Sequence, residues 1–146
     1  TILRYMSGKK YFLSWQWVED QINEIGDRLD GEDLEFISGV PRGGLIPAVM
    51  MSHIFRVKYI SYSSAKLLPK EIRKTTLVVD DIADTGHTLI EAKELDFITA
   101  TLALRSTSEQ TPTLSGELIT DERWLVFPWE TLDSEAKQDY LINNES

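Results

Sequence analysis

The sequence predicts an α/β fold, a mostly parallel sheet flanked by helices, from two observations. Short runs rich in β-branched and aromatic residues alternate with segments of helical character, and that alternation argues for parallel strands covered on both faces. Two polar junctions, PRGG at 41–44 and DTGHT at 84–88, each follow an apolar run and precede a helical one. In such sheets ligands bind beyond the carboxyl ends of the strands, where loops of this kind lie.

Taken in order, KKYFLSW (9–15) has the aromatic and apolar character of a short strand, and Ser14 can cap the helix after it. Trp15, Val18, Ile22, Ile25 and Leu29 recur at steps of three and four, so they share one face of that amphipathic helix, which Gly31 stops. LEFISGV (34–40) reads as a buried strand leading into PRGG. LIPAVMMSHIF (45–55) is apolar on most sides and reads as a second helix, with Pro47 tolerated in its first turn. VKYISY (57–62) and TTLVV (75–79) are read as a third and a fourth strand, residues 88–95 as a helix and ITATLAL (98–104) as another strand. After Arg105 come polar turns and an aromatic cluster, WLVFPWE (124–130), which read as a small hood packed on the sheet's edge or over its top. The expected organisation is therefore an upstream extension or cloning remnant at 1–5, one domain over 6–130 with a hood from about 106, and a polar, acidic tail at 131–146 with weak helical character in SEAKQDYLI.

At 146 residues the chain suits one domain with a real core. Fifteen basic residues against 24 acidic ones give a net charge of −9, which argues against general affinity for nucleic acid and against docking on anionic membranes. An anionic ligand must then be met locally. No apolar run approaches the roughly 20 residues a membrane helix needs, and no signal-peptide pattern is evident at the start, so a cytoplasmic location is expected. The absence of cysteine excludes disulfides and thiolate metal sites and suits a reducing compartment.

The stretch LVVDDIADTGHTL (77–89) sets Asp80, Asp81 and Asp84 at the end of an apolar run and follows them with Thr85, Gly86, His87 and Thr88. At a strand-to-helix junction the backbone N–H groups of the last four residues converge, Gly86 permits a positive φ or a close approach, and the threonines add hydroxyls; a phosphate fits there. The upstream carboxylates would repel a phosphate but suit vicinal sugar hydroxyls or Mg²⁺. A single aspartate commonly starts a turn or caps a helix, yet three before TGxT behind a buried strand fit a ligand with a terminal phosphate, a ribose and a metal-bound second anion.

VVDDIADTGHT resembles the 5-phosphoribosyl 1-pyrophosphate (PRPP) motif of type I phosphoribosyltransferases: two apolar residues, two acidic ones, then D-T-G-x-T. The resemblance extends over about 6–130. MSGKKYFLSW is similar to the start of the xanthine-guanine members, SGVPRGGLIPA to their pyrophosphate loop and WLVFPWE to their purine-covering segment. It implies Mg²⁺-dependent transfer of 5-phosphoribosyl from PRPP to a 6-oxopurine, guanine, xanthine or hypoxanthine, giving a nucleotide and pyrophosphate. It also implies a homo-oligomer, dimer or tetramer.

Carried over residue by residue, the resemblance places Asp80 and Asp81 on the ribose hydroxyls, directly or through Mg²⁺, Asp84 beside purine N7 as the reacting carboxylate, and Asp84 with Thr85, Gly86, His87 and Thr88 around the 5-phosphate. His87 sits at the motif's variable position, so its backbone rather than its imidazole is expected to bind; His53, inside a helix, is expected to be structural. Pro41, Arg42, Gly43 and Gly44 would hold pyrophosphate, with a cis bond between Pro41 and Arg42. SSAKLLPKEIRK (63–74) carries four cations against one carboxylate, a net +3, and matches a loop that closes over PRPP, led by Lys66 and Lys70. Trp124 would stack on the purine, Leu125 would offer backbone groups, and Trp129 would pack. Where the family places a lysine for the 6-oxo group this chain has LALRST, so Arg105 is the nearest cation for the base. Two other readings compete: a regulatory or nucleotide-sensing protein that keeps a PRPP site without transfer, and a transferase for another base.

Overall fold

The computed structural model describes residues 10–130; the expected upstream extension (1–5) and acidic tail (131–146) lie outside them. The elements run β1 (Lys10–Phe12), α1 (Trp15–Arg28), β2 (Phe36–Gly39), α2 (Leu45–Phe55), α3 (Tyr62–Ala65), α4 (Lys70–Arg73), β3 (Thr76–Ala83), α5 (His87–Glu94), β4 (Ile98–Arg105), β5 (Leu114–Ile119) and β6 (Trp124–Val126). Strands β2–β3–β4–β5 pair in that order, all parallel, and β1 pairs in parallel with β6 as a separate two-stranded sheet.

Each face of the main sheet has its own core. On one face Val18, Ile22 and Ile25 of α1 and Ala48 and Met51 of α2 bury against Leu77, Val79 and Leu102; on the other, Val78, Ala92 and Phe97 gather with Val40 and Ala65. The alternation of strand side chains produces this split: Leu77 and Val79 point one way, Val78 the other. The apolar periodicity of α1 is thus core-facing at Val18, Ile22 and Ile25, while Trp15 at its start is exposed; Ser14 caps it, its hydroxyl accepting from the Trp17 N–H at 3.0 Å.

Two expectations are corrected. The run 57–62 is not a strand: it touches β2 at one bridge, where Ile37 accepts from the Ile60 N–H and donates to the Lys58 carbonyl, and Ser61 then caps α3 and turns the chain away. The expected appendage after Arg105 supplies β5, a fourth strand of the main sheet, while β6 makes the hood with β1. Its Gly116 lies against the Leu102 carbonyl and the side chain of Gln21 from α1, where a Cβ would not fit.

Candidate active site

Three strand ends converge at one edge of the sheet. β2 runs through a turn at 41–44 into α2, β3 runs through 84–86 into α5, and β4 ends on Arg105. The sequence marks the first two of these ends by its polar junctions.

β3 is longer than the sequence suggests and carries both acidic residues inside the sheet, with Asp80 6% and Asp81 9% exposed. As neighbours on a strand they point to opposite faces. Asp80 turns toward α5: its Oδ2 accepts from the Thr88 hydroxyl at 2.9 Å and its Oδ1 from the Asp81 N–H at 2.9 Å. Asp81 turns toward the 41–44 loop, where its carboxylate lies against Gly43 so closely that a Cβ there would collide with it; its Oδ1 accepts from the Ile82 N–H at 2.7 Å. The acidic pair is therefore split between the two loops. Hydrogen bonds from N–H and O–H groups offset part of the cost of burying two carboxylates.

Gly86 caps α5 with φ 83°, the left-handed region glycine supports without strain, and Thr85 Oγ1 accepts from the His87 N–H at 3.2 Å. Gly86 also faces the chain after β4: a Cβ would meet Gln110 Cβ at 2.6 Å and the Gln110 nitrogen at 2.9 Å. The first turn of α5 presents backbone N–H groups that the helix itself does not satisfy, the arrangement anions bind. Across from it the Pro41–Arg42 bond is cis, as the family resemblance implies, and Arg42 is exposed. Gly44 packs its Cα against the Val79 carbonyl, bringing the loop down onto β3. His53 is exposed on α2, away from these loops.

A cleft of about 500 Å³ opens between the two loops, with Pro41, His87 and Thr88 on its walls beside Tyr62, Lys66 and Glu91; Asp80, Asp81 and residues 42–44 do not line it. Lys66 lies 3.4 Å from Glu91 Oε1 and 5.0 Å from the Tyr62 ring centre, and the Tyr62 hydroxyl donates to the same Glu91 oxygen at 2.8 Å. Burial, then the bond to Glu91, then the charges of Glu91 and Asp80 push the Tyr62 phenol well above its ordinary value. Lys70 is turned elsewhere, 3.6 Å from Asp96. Of the two lysines expected to lead a closing loop, Lys66 lines the cleft and Lys70 does not.

Asp84 and Arg105 form an ion pair outside the cleft lining, Nε to Oδ1 at 3.0 Å. Arg105 also donates from Nη1 to the Asp121 carbonyl at 3.2 Å and from Nη2 to the Arg123 carbonyl at 2.7 Å. Sequence reasoning does not anticipate these bonds, although pairing of Ala83 with Leu104 on adjacent strands places the next residues side by side. Trp124 is half-buried at the start of β6 with Lys10 Nζ 5.3 Å from its ring centre, Leu125 is buried, and Trp129 stacks on Phe127 at 5.1 Å in the packing role expected of it.

Among the described residues no cluster of three or more His, Cys, Asp or Glu is arranged to hold a metal, and no helix is long and apolar enough to cross a membrane. The chain matches no protein-family model. It is similar to a solved purine phosphoribosyltransferase from Pyrococcus horikoshii Ot3, 31% identical with a TM-score of 0.68, covering 88% of this chain and 99% of that one. It is 29% identical over 145 residues to a xanthine-guanine phosphoribosyltransferase of Idiomarina loihiensis, covering 85% of this chain and 89% of the relative. A Helicobacter pylori xanthine-guanine-hypoxanthine phosphoribosyltransferase, 18% identical, shares the fold with a TM-score of 0.69.

Proposed function

Because the chain belongs to the purine phosphoribosyltransferase family, of type I fold, we propose that it transfers 5-phosphoribosyl from PRPP to a 6-oxopurine, releasing pyrophosphate. The observation that carries this reading is the split acidic pair: two buried carboxylates on one strand, one facing the start of α5 and the other the 41–44 loop. A ligand with phosphate at one end, a diol in the middle and pyrophosphate beyond matches that order of groups.

In this reading Thr85, Gly86, His87 and Thr88 bind the 5-phosphate mainly through backbone N–H groups, since the Thr88 proton is already donated to Asp80. Asp80 and Asp81 receive the ribose hydroxyls. Pro41, Arg42, Gly43 and Gly44 receive pyrophosphate, and Lys66 adds a cation from the far wall of the cleft. The purine lies toward the hood, with Trp124 against its face, Leu125 along its edge and Arg105 at that end of the site.

The donor set suits Mg²⁺. That ion is commonly held by one or two carboxylates together with substrate phosphates, and Asp80 and Asp81 are such hard oxygen donors beside a pyrophosphate loop. Bound there, it would supply charge neutralisation for the departing pyrophosphate. The chain's own residues do the rest: they hold the ribose at a state of oxocarbenium character, as in glycoside chemistry, while the C1–oxygen bond breaks and a bond from C1 to a purine nitrogen forms. The N7 proton passes to Asp84, a transfer of the kind worth about 10² to 10⁴ in rate.

The test is incubation with PRPP, Mg²⁺ and each nucleobase separately, following nucleotide and pyrophosphate. Turnover is expected with 6-oxopurines, and Asp84→Asn should cut it about 10²-fold or more while PRPP affinity holds. PRPP binding with no turnover of any base would replace this reading with the sensor.

A further inference from the structure

We propose that Arg105 is a positioning residue: it fixes the Asp84 carboxylate against the turn that leads into β6, and it acts on transfer through Asp84 and not as a donor to the base. This rests on the reading of Asp84 as the proton acceptor. The guanidinium is fixed on three sides: Nε forms an ion pair with Asp84 Oδ1 at 3.0 Å, and two donors are committed to the turn, Nη1 to the Asp121 carbonyl at 3.2 Å and Nη2 to the Arg123 carbonyl at 2.7 Å. The Arg105 side chain is 16% exposed, against 45% for Asp84. The more buried partner thus holds the more open one.

The turn it grips is itself braced. The Arg123 guanidinium lies 3.1 Å from Asp121 Oδ1, 3.3 Å from Glu117 Oε2 and 4.9 Å from the Tyr11 ring centre, and the Arg123 N–H donates to Asp121 Oδ1 at 3.2 Å. Glu117 belongs to β5 and Tyr11 to β1, so the turn has little freedom to move alone. Trp124 comes directly after it. Arg105 thereby links the carboxylate at the end of β3 to the hood strand, and a displacement of either should move the other. A lysine could do this only in part: one ammonium on a flexible stem can pair with the carboxylate but lacks the planar fork that also meets two carbonyls in fixed directions. The arginine at this position is therefore explained by its partners in the fold.

The experiment compares kcat and base KM for the full chain, Asp84→Asn, Arg105→Lys, Arg105→Met and the double variant Asp84→Asn with Arg105→Met, using PRPP, Mg²⁺ and guanine, hypoxanthine or adenine. Arg105→Met is expected to lower kcat about 100-fold with base KM moved by less than about threefold, as misplacement of a reacting group does. Arg105→Lys should recover part of that loss. In the Asp84→Asn background Arg105→Met should cost no more than about twofold further, because its route of action is already gone. Independent, multiplying losses would overturn the proposal, as would a base KM that rises for 6-oxopurines alone while kcat holds. Unchanged turnover in Asp84→Asn by itself would instead remove Asp84 from its role, a failure of the functional reading that is separable from the others. Circular dichroism confirms folding; if Arg105→Met does not fold, Arg105→Lys in both backgrounds carries the same comparison.

Discussion

Gly43 is the residue at which the acidic strand meets the loop opposite. A Cβ there would collide with the Asp81 carboxylate, so Gly43→Ala must displace either that carboxylate or the cis-bonded loop. The expected result is a PRPP KM raised at least about tenfold, since in the proposed reading both displaced groups contact PRPP. Gly31→Ala is the control: its φ of 92° gives it a conformational cost of about 1 to 2 kcal/mol, yet nothing stands within 4 Å of the new methyl, so stability should fall and KM should not. Equal KM effects from both would disconnect Gly43 from binding. Gly43 was legible as a glycine of a polar junction; its partner was not, because contact between loops on different strands leaves no mark in local spacing. Arg105 shows the same limit. Its carbonyl partners are 16 and 18 residues away in sequence, and backbone carbonyls have no residue type to betray them.

At the scale of elements, apolar pattern predicted α1 and α2 well because both bury apolar side chains on the sheet, α1 along one stripe and α2 through Pro47, Ala48 and Met51, although Ile46, Val49 and Ile54 on its other side are exposed. It failed where hydrogen bonding outvoted composition. VKYISY has strand-like residues, but Arg56 ends α2 in the left-handed region and Ser61 starts α3, leaving room for one bridge. LSGELI was missed as a strand because Gly116 interrupts its pattern, and that glycine serves close packing on Leu102 and Gln21.

The basic segment 63–74 likewise proves anchored more than free. Arg73 donates to the Leu68 carbonyl at 2.6 Å and the Leu95 carbonyl at 2.8 Å, joining α4 to the carbonyl end of α5, where a cation is favoured. Arg73→Ala should destabilise by about 1.5 to 3 kcal/mol, read as a lower urea midpoint at unchanged m-value. No change would reduce the staple to a surface contact. Tyr62 and Tyr59 supply a pH signature for the neighbouring segment. Both phenols are held above their ordinary 10.0, chiefly by burial, so the folded state keeps their protons longer than the unfolded chain. Their contribution is complete below pH 10 and is lost as pH rises above it, and Tyr62→Phe should flatten that alkaline fall in a series of thermal melts.

For the whole molecule, the candidate site exists only in the folded state, because its parts come from the ends of β2, β3 and β4, the start of α5 and the wall near α3. α1 joins the two sheets: Trp17 Nε1 donates to Glu117 of β5 at 2.8 Å, and its ring lies 6.0 Å from Phe127, just beyond β6. A ligand spanning the loops should therefore bind the native chain and ignore the unfolded one, and mass action converts that difference into stability. At about 100 times its dissociation constant such a ligand adds about 2.7 kcal/mol, and for a domain of this size each kcal/mol moves Tm by about 2 to 4 °C. PRPP with Mg²⁺ is thus expected to raise Tm by about 5 to 10 °C at that concentration, and removing the metal with EDTA should lower the shift, since in the proposed reading the buried carboxylates lie beside the ligand's anionic groups and repel them unless a cation intervenes. A shift identical with and without Mg²⁺ would take the cation out of binding at Asp80 and Asp81. No shift at any PRPP concentration would take PRPP out of the cleft, whatever the two loops resemble.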